Sequence, residues 1–412
     1  MRITSRPVVG LTALALTASL GLSACSSSKK NSASGGSSSS SSCGTIPTTD
    51  PSDPDGVLAA LPSSVQALYN GYSTAVHKSA FASWKPSSST NKTIGFLLSE
   101  TNNGYQLALQ SILEGQLKAA GYTVDAVTSS DQVTDQVADF NQMVEQKVAL
   151  IVYEPLSSSA FTTAVQNAAA ANIPSISLLN SVDSADTISL GANNWLQGAL
   201  MAQYVAKEIG GSGKVLDVHG ISGVGIDTAT YAGVKAVFSQ CSGITTDDTI
   251  YDQFADSTAK SAVQTYLATH PQKIAAAMTS GAGATGVLEG FQAAGKTVPV
   301  IANDSLEEGQ LAYWYQNKSS YNGVGITTTP PQLASSTLTL VNALFKGEGV
   351  KLSAVVLNTP LVTNANVADW YTSDMTTTST GNASGPSNLE VLPDSLLNEL
   401  LSNPAGSTSS SS

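Results

Sequence analysis

Between residues 94 and 327, short apolar runs alternate with longer stretches whose apolar side chains recur at helical spacing. Residues 94–98 (Ile-Gly-Phe-Leu-Leu) predict a buried strand. From 103 to 120, Leu107, Ile112, Leu113, Leu117 and Ala120 keep a helical beat until Gly121 ends it. The same reading predicts strands at 122–127, 148–153, 173–179, 187–190, 214–218, 244–251, 274–278, 298–302 and 322–327. It predicts helices at 131–146, 158–171, 194–209, 228–240, 257–269, 285–294 and 332–346. Apolar strands with interleaved helices mean parallel sheets covered on both faces. The beats are too many for one ordinary sheet, so the fold class is α/β, with two doubly wound parallel-sheet lobes side by side.

The ends of the chain break this pattern. Arg2 and Arg6 precede a mostly apolar run from 8 to 22, which is followed by Leu22-Ser-Ala-Cys25. A charged start, a short apolar run and small residues at a cleavage point make a signal peptide, too short to span a membrane. The Leu-Ser-Ala-Cys ending resembles the lipobox of bacterial lipoproteins, which implies cleavage after 24 and lipidation of Cys25. Residues 26–42 are Ser, Gly, Ala and Asn with two lysines and cannot bury a core, so 25–55 reads as a Ser-rich tether. Residues 56–92 form a pre-core segment of unassigned role. Residues 373–412 read as a low-complexity tail with one apolar patch at 389–401.

Composition narrows the function classes. Only 12% of residues are charged, the net charge is −12, and no arginine follows Arg6. Removing residues 1–24 takes away both arginines and no acid, leaving −14. Clustered Lys and Arg are absent, so neither a nucleic-acid track nor a polybasic membrane patch is expected. Beyond Cys25 there are two cysteines, Cys43 in the tether and Cys241 after a predicted helix. Outside the cytoplasm they can pair, and the sequence leaves that open. The three histidines are too scattered for a metal motif, and neither a metal nor a cofactor is expected.

The folded body carries a family resemblance. Residues 94–105 (IGFLLSETNNGY), 118–122 (KAAGY), Asn172-Ile-Pro174, Gly191-Ala-Asn-Asn194 and Thr269-His-Pro271 resemble the ribose- and galactose-type solute-binding proteins of ABC importers, from about 93 to 363. The resemblance implies two α/β lobes joined by three crossovers, near Asn193, Thr329 and Ser353, with the ligand cleft between them. The lobes are then 93–192 plus 330–352 and 193–329 plus 353–372. It also implies an extracytoplasmic monomer that closes over a small-molecule solute and delivers it to an ABC permease in the membrane.

In open α/β sheets ligands sit beyond the carboxyl ends of the strands. Carried over position by position, the family's ligand-binding residues fall on Asn103, Tyr105, Glu154, Asn180, Thr228, Phe254, Ser280, Asp304 and Thr328, with Glu100 nearby. Tyr105 and Phe254 would stack on a sugar ring, and the carboxylates would bond its hydroxyls. Three polar anchors depart from the family: its Asp-Arg pair is Leu179-Asn180, a later arginine is Thr228, and its Asn-Asp pair is Ser280-Gly281. Without a guanidinium, the site disfavours phosphates and carboxylates and leans toward neutral or cationic solutes: sugars, polyols, nucleoside-like molecules or amines.

Other signals point elsewhere. Gly281-Ala-Gly-Ala-Thr-Gly286 matches a dinucleotide fingerprint, but lies deep in the folded body and reads as a close strand-to-helix turn. His219 sits at a strand end and reads as a hydrogen-bonded loop residue. Gly220-Ile-Ser-Gly223 lacks nucleophile-elbow spacing, leaving an exported hydrolase as a minor alternative. A module that reports ligand to a sensor kinase would use the same cleft, whereas the sugar-responsive repressors of this fold carry a DNA-binding helix-turn-helix where this chain has a lipobox.

Overall fold

The computed structural model describes residues 42–99, 104–129 and 132–404. Cys25, Glu100 and Asn103 lie outside the described residues. Two six-stranded sheets form the frame. The first contains β1 (Thr93–Ser99), β2 (Thr123–Ser129), β3 (Leu150–Tyr153), β4 (Ser175–Leu178), β5 (Ile188–Gly191) and β11 (Ala354–Val356). The second contains β6 (Ser212–His219), β7 (Gly243–Tyr251), β8 (Ile274–Thr279), β9 (Val300–Asn303), β10 (Val324–Ile326) and β12 (Leu361–Val362). Their orders are β11-β5-β4-β3-β1-β2 and β12-β10-β9-β8-β6-β7, parallel except for the β10–β12 pair.

The helices are α1 (Ser63–Gln66), α2 (Gly104–Ala119), α3 (Val133–Glu145), α4 (Thr162–Ala170), α5 (Asn194–Glu208), α6 (Gly225–Phe238), α7 (Asp256–Thr269), α8 (Ala284–Ala293), α9 (Glu308–Asn317), α10 (Pro330–Phe345) and α11 (Asp394–Leu400). Alternation along the strands shows why both sheet faces are covered. Ile94, Phe96 and Leu98 of β1 pack with Leu109 and Leu113 of α2 and Leu333 of α10. Leu97, between them, joins Phe140 of α3 and Val165 of α4 on the opposite face. In the second lobe, Ala276 and Met278 face α5 and α6 while Ala277 faces α7 and α8. Ordinary strand periodicity thus fills two core layers per sheet.

The chain passes between lobes at 192–193, after β5, and at 327–329, after β10. The third passage lies at 357–360 rather than near Ser353, because Ala354-Val-Val356 first pairs with β5 of the first sheet. The segments flanking the two-lobed body add two more passages. Cys43 is disulfide-bonded to Cys241 of the second lobe, and Ile46 packs against that lobe. Leu58, Leu61, Val65, Tyr69, Phe81 and Trp84 are then buried in the first lobe's core. The described part of the tether is therefore fixed, and the pre-core segment is core. Asn193 Nδ2 donates to the carbonyls of Leu68 and Asn70 at 2.9 and 2.8 Å, placing this segment beside the first crossover.

The described part of the C-terminal tail, residues 373–404, is corrected in the same way, with Trp370 just before it. Trp370, Met375 and Ala383 are buried in the second lobe, and Val391, Leu392, Leu396, Leu397, Leu400 and Leu401 in the first. Its low complexity hides these anchors, since they find their partners only far away in sequence. Thr329, at the second crossover, donates its hydroxyl to the Ser384 carbonyl at 3.1 Å.

Candidate functional site

A cavity of about 940 Å³ lies where the carboxyl ends of both sheets meet. Its walls come from the segments that follow β3, β4, β5, β6, β7, β8, β9 and β10, from the start of α2, and from residues 380–382 of the C-terminal extension. The volume suits a small polar solute.

Six of the expected residues line it together: Tyr105, Glu154, Asn180, Phe254, Asp304 and Thr328. Tyr105 donates its hydroxyl to the Thr328 carbonyl at 2.6 Å, bridging the first lobe to the second crossover. Glu154 Oε1 accepts from Gln106 Nε2 at 2.9 Å, whereas its buried Oε2 has no partner among the described residues. Burial pushes its carboxyl up to about 7, opposed only by the Gln106 bond. Asn180 follows Leu179, which holds a left-handed φ of 62°, and donates to the Pro155 carbonyl at 3.2 Å.

Phe254 is held by an unusual turn. Gln253 and Phe254 both have φ near +57°, at 57° and 56°, and the Phe254 amide donates to Asp252 Oδ1 at 2.7 Å. Its ring lies directly over Gly220 and Gly281, where an added Cβ would stand 1.8 and 2.5 Å from it. Only glycine allows that approach, and the ring lines the cavity beside Gly281.

Both oxygens of Asp304 accept from the Gly281 amide at 2.8 Å. Burial raises its carboxyl to about 7; the Gly281 bond opposes that and the Asp227 charge adds to it. Two expected residues do not reach the cavity. Thr228 is exposed on α6, and Ser280 is fully buried behind the wall with an unpartnered hydroxyl.

Strand-end reasoning missed several residues that the structure brings to the same place. Glu307 accepts from the amides of Gly283 and Thr285, both at 2.6 Å, and Asp256 accepts from Gly286 at 2.8 Å. The amides of Gly281, Gly283, Thr285 and Gly286 are thus taken by three carboxylates at the start of α8. That is the place a dinucleotide phosphate would need, so the Gly281–Gly286 match serves a turn and not a phosphate. Burial and the neighbouring Asp256 charge raise Glu307 to about 8. Glu154, Asp256, Asp304 and Glu307 line the cavity, and no Lys, Arg or His does so among the described residues. Asp252 and Asp256 carried a readable signal: they follow a predicted strand and open a predicted helix.

His219 is bonded to Asp227 at 2.9 Å and does not line the cavity. Among the described residues no cluster of His, Cys, Asp or Glu is arranged to hold a metal ion.

Residues 94–349 match the model of the periplasmic binding protein domain family. The chain belongs to that family. It is 27% identical to the ribose import binding protein of Bacillus subtilis over 228 residues, covering 54% of this chain and 74% of the relative. It is 25% identical to that of Salmonella typhimurium over 264 residues, covering 63% and 86%. Among solved structures it resembles an ABC transporter periplasmic solute binding protein from Actinobacillus succinogenes with bound D-allose, at a TM-score of 0.61 and 20% identity, covering 68% of this chain and 99% of that one. It also resembles one from Bacillus halodurans with bound myo-inositol, at 0.60 and 19%, covering 69% and 98%.

Gly281 contributes a small surface beside Phe254, where a side chain would collide with the ring. The segments outside the family match, before 94 and after 349, supply the N-terminal anchor, β11, β12 and the 380–382 wall.

Proposed function

We infer that this protein is the solute-binding component of an ABC importer. It closes two lobes over a small sugar, polyol or nucleoside-like molecule of neutral or positive charge and delivers it to a membrane permease. The observation that carries this reading is the cavity itself: it joins the carboxyl ends of two parallel sheets and, among the described residues, brings together a tyrosine, a phenylalanine and four carboxylates without a cation. Aromatic faces and carboxylate acceptors suit a ring bearing hydroxyls, while uncompensated acids repel phosphates and uronates. The family implies an extracytoplasmic location, and the Cys43–Cys241 disulfide fits an oxidising compartment.

Thermal-shift measurements with D-ribose, D-allose, myo-inositol, adenosine, ribose 5-phosphate and glucuronate test the reading. A solute at 100 times its dissociation constant adds about 2.7 kcal/mol, so one or more of the uncharged compounds should raise the melting temperature by several degrees. A shift confined to ribose 5-phosphate and glucuronate would overturn the charge assignment.

The protein acts as a monomer held on the membrane by lipid at Cys25, supported by the Leu22-Ser-Ala-Cys25 sequence. Two acyl chains are needed for stable anchoring. Cys25→Ala should therefore move the protein from the membrane fraction into the soluble extracytoplasmic fraction. Mass spectrometry finding a mature N-terminus other than a modified Cys25 would contradict the anchor.

A further inference from the structure

The stretch from 376 to 384 is Thr-Thr-Thr-Ser-Thr-Gly-Asn-Ala-Ser, with no periodicity to hold it anywhere. In the structure it is strung between two buried anchors. Met375 and Ala383 belong to the second lobe's core, and Val391 and Leu392 to the first lobe's. Between them the backbone is pinned to the cavity rim. The Glu308 amide donates to the Gly381 carbonyl at 3.0 Å, and the Ala383 amide to the Leu306 carbonyl at 2.9 Å. A bridge joins Glu307 and Asn382.

Thr380, Gly381 and Asn382 consequently line the cavity, beside Ser305 and Glu307. Gly381 also reaches the first lobe, its Cα lying 3.9 Å from where a Cβ on Gly104 would stand. Asn382 Nδ2 donates to the Ser305 carbonyl at 2.9 Å, which fixes the plane of its amide. The side chain makes no other hydrogen bond among the described residues, leaving its Oδ1 and second N–H free. An oriented donor and acceptor on the same carbon match two adjacent hydroxyls on a ring.

We propose that residues 380–382 of the C-terminal extension form a specificity wall of the solute site, with Asn382 bonding the solute directly. This rests on the solute-binding reading above. The wall lies beyond the residues that match the family, so it adds selection that the two lobes alone do not provide. Because Met375 and Ala383 anchor it on either side, the wall travels with the second lobe as the cleft closes.

The test is titration calorimetry of the mature protein with D-ribose, D-allose and myo-inositol, using wild type, Asn382→Ala, Thr380→Ala and, as control, Asn388→Ala at an exposed position of the same extension. Loss of two hydrogen bonds predicts about tenfold weaker binding for Asn382→Ala, with a changed ranking of the three compounds, and only a small drop in the melting temperature of the free protein from the lost Ser305 bond. Asn388→Ala should match wild type. Unchanged affinity and ranking in Asn382→Ala would overturn the wall while leaving the solute-binding reading intact. A wild type that binds none of the three would overturn the sugar and polyol reading and this inference with it.

Discussion

Asp304→Ala is expected to weaken solute binding ten- to a hundredfold. The carboxylate is held by the Gly281 amide at 2.8 Å through both oxygens, and its remaining lone pairs face the cavity. A hydrogen bond to a charged group contributes about 1.5–3 kcal/mol, which is that range of affinity. Alanine also leaves the Gly281 amide unpaired, so Asp304→Asn serves as the companion variant: it keeps an acceptor for Gly281 and removes the charge. Phe254→Ala should do comparable damage through lost ring contact, because the glycines beneath the ring offer no side chain to replace it. Calorimetry of the three variants decides the matter. Full affinity in both Asp304→Ala and Phe254→Ala would mean that the solute sits elsewhere.

The free protein should lose stability as pH rises from about 5 to about 9, the reverse of ordinary acid denaturation. Burial holds Glu154 and Asp304 at about 7, Glu307 at about 8 and Asp252 at about 9, all above ordinary carboxylate values near 4. The folded state then binds more protons than the unfolded chain across this window, and stability falls with pH wherever that holds. The contribution is complete below about pH 4 and disappears as pH climbs through the folded values. Melting temperatures should drop by several degrees between pH 5 and pH 8.5, with a smaller drop in Glu154→Gln. A flat or rising curve would show that these carboxyls are better solvated or better paired than the geometry indicates.

The strands and most helices were legible because each apolar run is bounded by a turn or an amphipathic stretch. Even the six cavity residues followed from the rule that ligands lie beyond strand ends, joined to the family resemblance. Illegible parts depend on partners distant in sequence. Ala354-Val-Val356 is three residues long and becomes a strand only beside β5. The apolar side chains at 391–401 look like an isolated patch until Leu58, Val350 and Leu352 surround them. Gln253 and Phe254 adopt left-handed backbone angles that no local signal announces, since neither is Gly, Asn or Asp. Thr228, carried over from the family resemblance, stands exposed on α6, which begins at Gly225, three residues before the predicted start.

Both extensions run beside crossovers, at Asn193 and at Thr329, so five passages connect the lobes instead of three. Closure must therefore bend five chains together, and the solute has to supply more differential binding energy to hold the closed state.

Small-angle X-ray scattering of the mature protein, with and without a solute whose saturation is verified by calorimetry, tests the two-lobed closure most directly. A solute bound in the cavity should lower the radius of gyration as the lobes draw together; an unchanged radius at verified saturation would contradict the account.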